Sequence, residues 1–387
     1  MINPPLQPPD RAHLSLRTTE PTGFGYGWIS GVLAAALGGI GLLAVLCFHF
    51  PQWLTMPVLR GHYPVTYVRA LLHLVLVAAF LLGTTSICLR RNKALGLAGI
   101  ACVLIAALLG GSQAPIGSGG SVGGAFLGLD WFLLNLILYS IVYIPLERLF
   151  ARRPEQPVFR SGWQTDLTYF FFNTLLIQVT SFLVVLPAMS LFDWARSGRV
   201  EAFTSGLPIV VQVVCVLLIA DFTQYWVHRA FHSVPLLWKF HAVHHSAEQM
   251  DWLAGSRLHM VDAVITRGLT YVPVYVLGFS KPAVAVYLAT VVVQATFIHA
   301  NVRWEFRPLR RWVATPAFHH WHHAAEPEAV DTNFAVHTPV WDLLFGTFHL
   351  PERWPNAYGL WGESDMPRGW LRQLLHPFRR RAGTGRE

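Results

Sequence analysis

Charge is scarce in this chain: 13% of its 387 residues are Asp, Glu, Lys or Arg, against 53% that are hydrophobic. A soluble protein of this length needs a far more charged surface, so the composition points to an integral membrane protein. Cysteine is scarcer still. Cys47, Cys88, Cys102 and Cys215 all fall in apolar runs without CxxC spacing, which excludes a disulfide framework and a thiolate metal site. The chain carries no CxxCH, no Rossmann-type dinucleotide fingerprint and no HExxH. Haem attachment, a nicotinamide or flavin site of that type and a zinc protease of the HExxH kind therefore drop out. No cleavable signal peptide is expected, because the first apolar run begins only at Trp28 and is too long for a signal core. No internal repeat is visible.

What is present is a succession of apolar runs. Residues 1–26 read as a mobile N-terminal tail rich in proline and polar groups. Six spans are then expected: Trp28 to Phe50, Tyr67 to Leu89, Ala94 to Gly110, Phe126 to Leu146, Leu167 to Leu191 and Gly206 to Val227. Arg90, Arg91 and Lys93 follow the second, and Arg148, Arg152, Arg153 and Arg160 follow the fourth, whereas the loop Gly111 to Ala125 is uncharged. That alternation implies a cytoplasmic N-terminus and puts everything after Val227 on the cytoplasmic side, in the inner membrane if the source is bacterial. A further apolar stretch, Gly268 to Ile298, is broken at Gly278-Phe279-Ser280-Lys281-Pro282 and reads as a re-entrant hairpin. Its first arm, Gly268 to Leu277, would reach only about 15 Å. The formal charge of +8 comes from basic residues beside apolar runs, so anionic membrane lipids, and no nucleic acid, are the expected partners. Arg303 to Trp312 and Pro367 to Arg381 mix arginines with aromatic and aliphatic groups, as membrane-surface segments do.

Chemistry concentrates in the histidines. His228 and His232 stand four apart, Pro235 should break their helix, and a new helix starting near Leu236 or Leu237 should carry His241, His244 and His245. His319, His322 and His323 repeat that i, i+3, i+4 spacing, with His320 off the shared face. Eight imidazoles in matching registers are too many for one metal and enough for two, and His259 and His299 are candidates to complete the shells. Asp221, seven residues before His228, lies on the same helical stripe and is a candidate to hold an imidazole N–H. His13, His49, His62, His73, His337, His349 and His376 read as structural or interfacial. Imidazole ligands suit zinc, copper or iron.

The order HRxxH, HxxHH, hairpin, HxxHH over roughly residues 140–350 resembles the fatty acid hydroxylase/sterol desaturase superfamily of membrane di-iron enzymes. Supporting residues are Asp221-Phe222, Tyr225-Trp226, His299-x-Asn301, Thr315-Pro316-x-Phe318, Asp331-x-Asn333-Phe334 and Trp341-Asp342-x-Leu344-Phe345-Gly346-Thr347. Met260-Val261-Asp262, after His259, departs from the family's usual pattern. The resemblance implies an all-α integral membrane protein: a bundle of about six transmembrane helices plus a re-entrant hairpin, under a cytoplasmic helical cap with a histidine-rich dimetal site. It implies two iron ions, O2 as co-substrate, and hydroxylation or desaturation of an unactivated C–H bond in a lipid drawn from the bilayer. Electrons would come from an external reductase, ferredoxin or cytochrome. Asn301 and Asp331 join Asp221 as expected supports of the ligands. The implied organisation is a tail (1–26), N-terminal helices (27–125), a catalytic domain (126–350) and a basic interfacial tail (351–387). Rival readings are an ether-cleaving monooxygenase of the same superfamily, and a metal-binding transporter or sensor without redox chemistry.

Overall fold

The computed structural model describes residues 20–21, 23–117, 126–175, 177–362 and 366–379. The N-terminal tail reading therefore falls almost wholly outside the described residues. The described residues form these α-helices: α1 Trp28–His49, α2 Pro51–Leu54, α3 Pro57–Arg60, α4 Val65–Leu89, α5 Ala94–Leu108, α6 Leu129–Leu149, α7 Trp163–Leu175, α8 Ile177–Phe192, α9 Gly198–Gly206, α10 Ile209–Ser233, α11 Pro235–His245, α12 Met260–Leu277, α13 Lys281–Phe297, α14 Pro316–His322, α15 Val340–Phe345 and α16 Trp370–Leu375. Among the described residues, β pairing is limited to two isolated bridges. Contacts divide the chain into two compact units, 1–133 and 134–387.

In the first unit α1, α4 and α5 pack on one another. Apolar helices in lipid gain little from hydrophobic burial, so close backbone approach has to supply the contact. Small residues allow it here. A Cβ on Gly38 would fall 2.6 Å from the Gly99 carbonyl oxygen, and one on Gly99 would fall 2.6 Å from the Ala34 backbone. The polar groups of this unit are tied internally: Arg69 donates to the Ser112 and Ala114 carbonyls, and Asp130 accepts from the Met56 N–H.

In the second unit α10 packs against α11, α12 and α13, and α12 against α8. Val216, Ala220, Val274 and Tyr287 form the core between α10 and the α12–α13 pair.

Among the described residues, six helical segments are long and apolar enough to cross a membrane, but they are not the expected six. Met260–Leu277 qualifies, while the stretch expected as the fifth span is occupied by α7 and α8, with residue 176 outside the described residues. The first hairpin arm also starts earlier than expected. The His259 ring accepts the Val261 N–H and caps α12, giving an arm of 18 residues, about 27 Å long. Gly278 ends that arm in the left-handed region at φ 68°, and Ser280 caps α13 with Pro282 in its first turn.

Candidate metal centre

Helix α10 continues beyond its apolar portion, so His228 and His232 sit in its last turns. Val234 is extended, as a residue before proline must be, and Pro235 opens α11 at N1. The new helix ends in His241, His244 and His245. His299 follows directly on α13, and Thr315 caps the short α14 that carries His319 and His322, with His323 at its C-cap. Four helix ends thus converge.

They bring nine imidazoles into two groups. His228, His232, His241, His245 and His322 form one, and His244, His299, His319 and His323 form the other. Within each group the available nitrogens lie within 4.8 Å of one another. The two HxxHH runs divide in opposite senses. From α11 the i, i+4 pair His241 and His245 enters the first group and His244 the second; from α14 the i, i+4 pair His319 and His323 enters the second group and His322 the first.

Hydrogen bonds on the outer ring nitrogens fix the tautomers. Nδ1–H donates to a backbone carbonyl from His228 (Phe334, 2.7 Å), His244 (Arg257, 3.0 Å), His299 (Ala295, 2.7 Å) and His322 (Thr332, 2.7 Å). His241 Nδ1 faces the Asp262 carboxylate at 2.7 Å. A carbonyl only accepts, so these rings turn a bare Nε2 lone pair inward. Two of those lone pairs meet where Nε2 of His228 lies 3.0 Å from Nε2 of His241, and the His299 lone pair faces Nε2 of His319 at 3.1 Å. The Nε2 atoms of His232 and His322 are buried without a hydrogen-bond partner. Converging lone pairs repel unless a cation sits between them. The nitrogen-only donor set fits two metal ions.

Electrostatics agree. Burial first, then the neighbouring imidazoles, hold His241, His245, His319 and His323 well below the ordinary histidine pKa. Burial likewise pulls His244 down to about 3 and His299 to about 4. Neutral rings are what metal binding requires.

Residues 213–347 match the Fatty acid hydroxylase family. Over this region the chain is similar to that family. Among curated fatty acid hydroxylase relatives, the chain is 28% identical over 260 residues to the ornithine lipid hydroxylase OlsE of Rhizobium tropici, covering 64% of this chain and 78% of that protein. It is 33% identical over 201 residues to human alkylglycerol monooxygenase, covering 52% of this chain but only 41% of that protein's length. It is 23% identical over 232 residues to Arabidopsis thaliana methylsterol monooxygenase 1-2, covering 56% and 75%. No solved structure matches the chain.

Of the residues singled out in the sequence, His299 joins a metal group and His259 stands apart from both. Both His259 nitrogens are engaged, Nδ1 by the Val261 N–H and Nε2 with the Leu374 carbonyl at 3.1 Å. Asp331 Oδ1 lies 3.3 Å from His232 Nδ1. Asn301 exchanges hydrogen bonds with the Arg153 backbone. Asp221 accepts the backbone N–H groups of Val336, His337 and Thr338, next to Asp342, which accepts those of Phe334 and Ala335. Two buried carboxylates thus suspend the segment 334–338, and its Phe334 carbonyl orients His228. His320 is also buried, set between Tyr358 Oη and the His299 carbonyl.

Two supports were not foreseen. Asp262 is brought to His241 by the packing of α12 on α11. Arg257, whose carbonyl aims His244, is held by Asp166 within a buried network that includes Arg160 and Asp251. The available signal for Asp262 was a lone acid in the first turn of an apolar helix directly after His259.

Proposed function

We propose that this protein is an oxygen-dependent lipid hydroxylase whose nine clustered imidazoles hold two iron ions. The carrying observation is the division of those rings into groups of five and four, with their lone pairs turned inward. Iron bound there would supply redox chemistry able to use O2 against an unactivated C–H bond, with electrons from an external reductase, ferredoxin or cytochrome. The chain's own part is to hold nine neutral rings in fixed tautomers. Carbonyls of Phe334, Arg257, Ala295 and Thr332 and the carboxylate of Asp262 fix five of the nine in this way.

The substrate is a membrane lipid that reaches the centre from the bilayer. The similarity to proteins named ornithine lipid hydroxylase, alkylglycerol monooxygenase and methylsterol monooxygenase supports that class and favours hydroxylation over desaturation. In this reading α12 and α13 form a re-entrant hairpin, and the centre faces the cytoplasm. The basic residues beside the second and fourth expected spans support that side. Residues 126–350 act as the catalytic domain.

Metal analysis of tag-free protein, together with lipid profiles of cells with and without the gene, tests this. The expected result is about two irons per chain and an oxygen-dependent lipid product heavier by one oxygen atom. A stable fold without bound metal, or a metal complement that is redox-inert, sinks the proposal.

A further inference from the structure

The C-terminal segment of the second unit is engaged on one face only. Helix α16 runs on into a 3-10 turn, His376–Phe378. Together they make a rod of about 15 Å, half the depth of a hydrocarbon core, so this element cannot span a bilayer.

Its inner face is tied down. Gln373 and Pro377, four apart, are buried. Trp370 stacks on Phe172 of α7 with ring centroids 4.1 Å apart. The Gln373 amide donates to Ser246 Oγ at 3.3 Å, and the Ser246 carbonyl accepts from Arg257 at 2.9 Å. Arg257 is the residue whose carbonyl aims His244. The Leu374 carbonyl accepts from Nε2 of His259, whose other nitrogen caps α12; that helix carries Asp262, the support of His241. One segment thus touches the supports of both histidine groups.

The outer face has a different pattern. Leu371, Leu375 and Phe378 recur at i, i+4 and i+7 and are 57%, 49% and 66% exposed. Arg368, Arg372 and Arg379 are exposed beside them, and among the described residues none of the three has an ion pair. An apolar stripe left in water is unfavourable, and so are three like charges in one short segment. A layer that offers acyl chains on its inner side and phosphates on its outer side relieves both. A second copy of the chain fits less well, because a two-fold contact sets the same patch on itself and would bring arginines against arginines.

We infer that Pro367 to Arg379 is a strap whose outer face binds the anionic headgroup layer and whose inner face, held there, braces His244 and His241. The lipid contact is independent of the proposed function, whereas the bracing rests on its metal centre. Linkage then requires anionic lipid to slow the loss of metal.

The test uses the full metal-loaded chain, one copy per nanodisc, in phosphatidylcholine alone or in phosphatidylcholine and phosphatidylglycerol in equal parts. Hydrogen exchange of residues 370–378, followed by mass spectrometry, reads the lipid contact, and the time course of metal release to a chelator reads the bracing. In the mixed discs exchange is expected to be about 10-fold slower, and metal release about 3-fold slower. Combining Arg368→Gln, Arg372→Gln and Arg379→Gln should make the two lipids equivalent by both readouts. Gln373→Ala should keep the lipid effect on exchange and lose the lipid effect on metal release. Equal exchange of wild type in the two discs, or a lipid effect unchanged in the triple variant, overturns the contact. Protection that appears only in discs holding two copies assigns the face to a second copy and overturns it as well. Lipid-dependent exchange with lipid-independent metal release overturns the bracing and supports the contact. A chain that binds no metal overturns the proposed function and the bracing, and the exchange comparison still decides the contact.

Discussion

Asp262 Oδ2 lies 2.7 Å from Nδ1 of His241, and both residues are buried. The carboxylate fixes the ring's tautomer and raises the basicity of the nitrogen turned toward the first group. Replacing Asp262 by Asn keeps the shape and removes the charge. The expected loss of metal affinity is about 10- to 100-fold, read by competition with a graded chelator while circular dichroism reports the fold.

The opposite division of the two HxxHH runs separates the metal groups genetically. His245→Ala should empty the first group and His244→Ala the second, each lowering metal content from about two per chain toward one. His259→Gln should retain both ions, because neither His259 nitrogen faces a group. Elemental analysis of the three variants checks this; loss of metal in His259→Gln would contradict it.

Asp221→Ala leaves three buried backbone N–H groups without their acceptor. The cost should be about 3 kcal/mol or more, seen as a lowered melting temperature. Metal affinity should fall as well, because the Phe334 carbonyl that orients His228 belongs to the suspended segment. Asp221→Asn retains one acceptor oxygen and should be milder on both measures.

His337 supplies a pH prediction away from the ligands. Burial pulls its pKa down to about 4, and neither ring nitrogen has a partner. Below pH ~6.5 the unfolded chain takes up a proton at this residue that the folded chain refuses until near pH 4, so stability is lost as pH falls through that window. The contribution is about 3 kcal/mol. His337→Phe should flatten the acid side of the stability curve by that amount, measured by thermal unfolding between pH 4 and 7.

Much of the centre was legible in the sequence because helical spacing dictates which side chains share a face. His241, His244 and His245 do share one, as do His319, His322 and His323. Spacing is silent on which of two adjacent ions each ring serves, since i+3 and i+4 fall to either side of i, about 60° one way and about 40° the other. Tertiary packing decides that. The stripe through Asp221 and His228 was visible too, yet the carboxylate meets the chain at 336–338, a partner more than a hundred residues away that no local period reveals. The start of α12 was missed for a simpler reason: His259 caps it, and histidine is outside the Ser, Thr, Asp and Asn set that marks a helix start.

The crossed division of the two triads also governs how the ions depend on each other. Each short helix contributes to both groups, so an ion entering either one stiffens α11 and α14 together and lowers the ordering cost for the second. Occupancy should therefore be positively cooperative, and linkage makes the effect mutual: whatever the first ion adds to the affinity for the second, the second adds to the first.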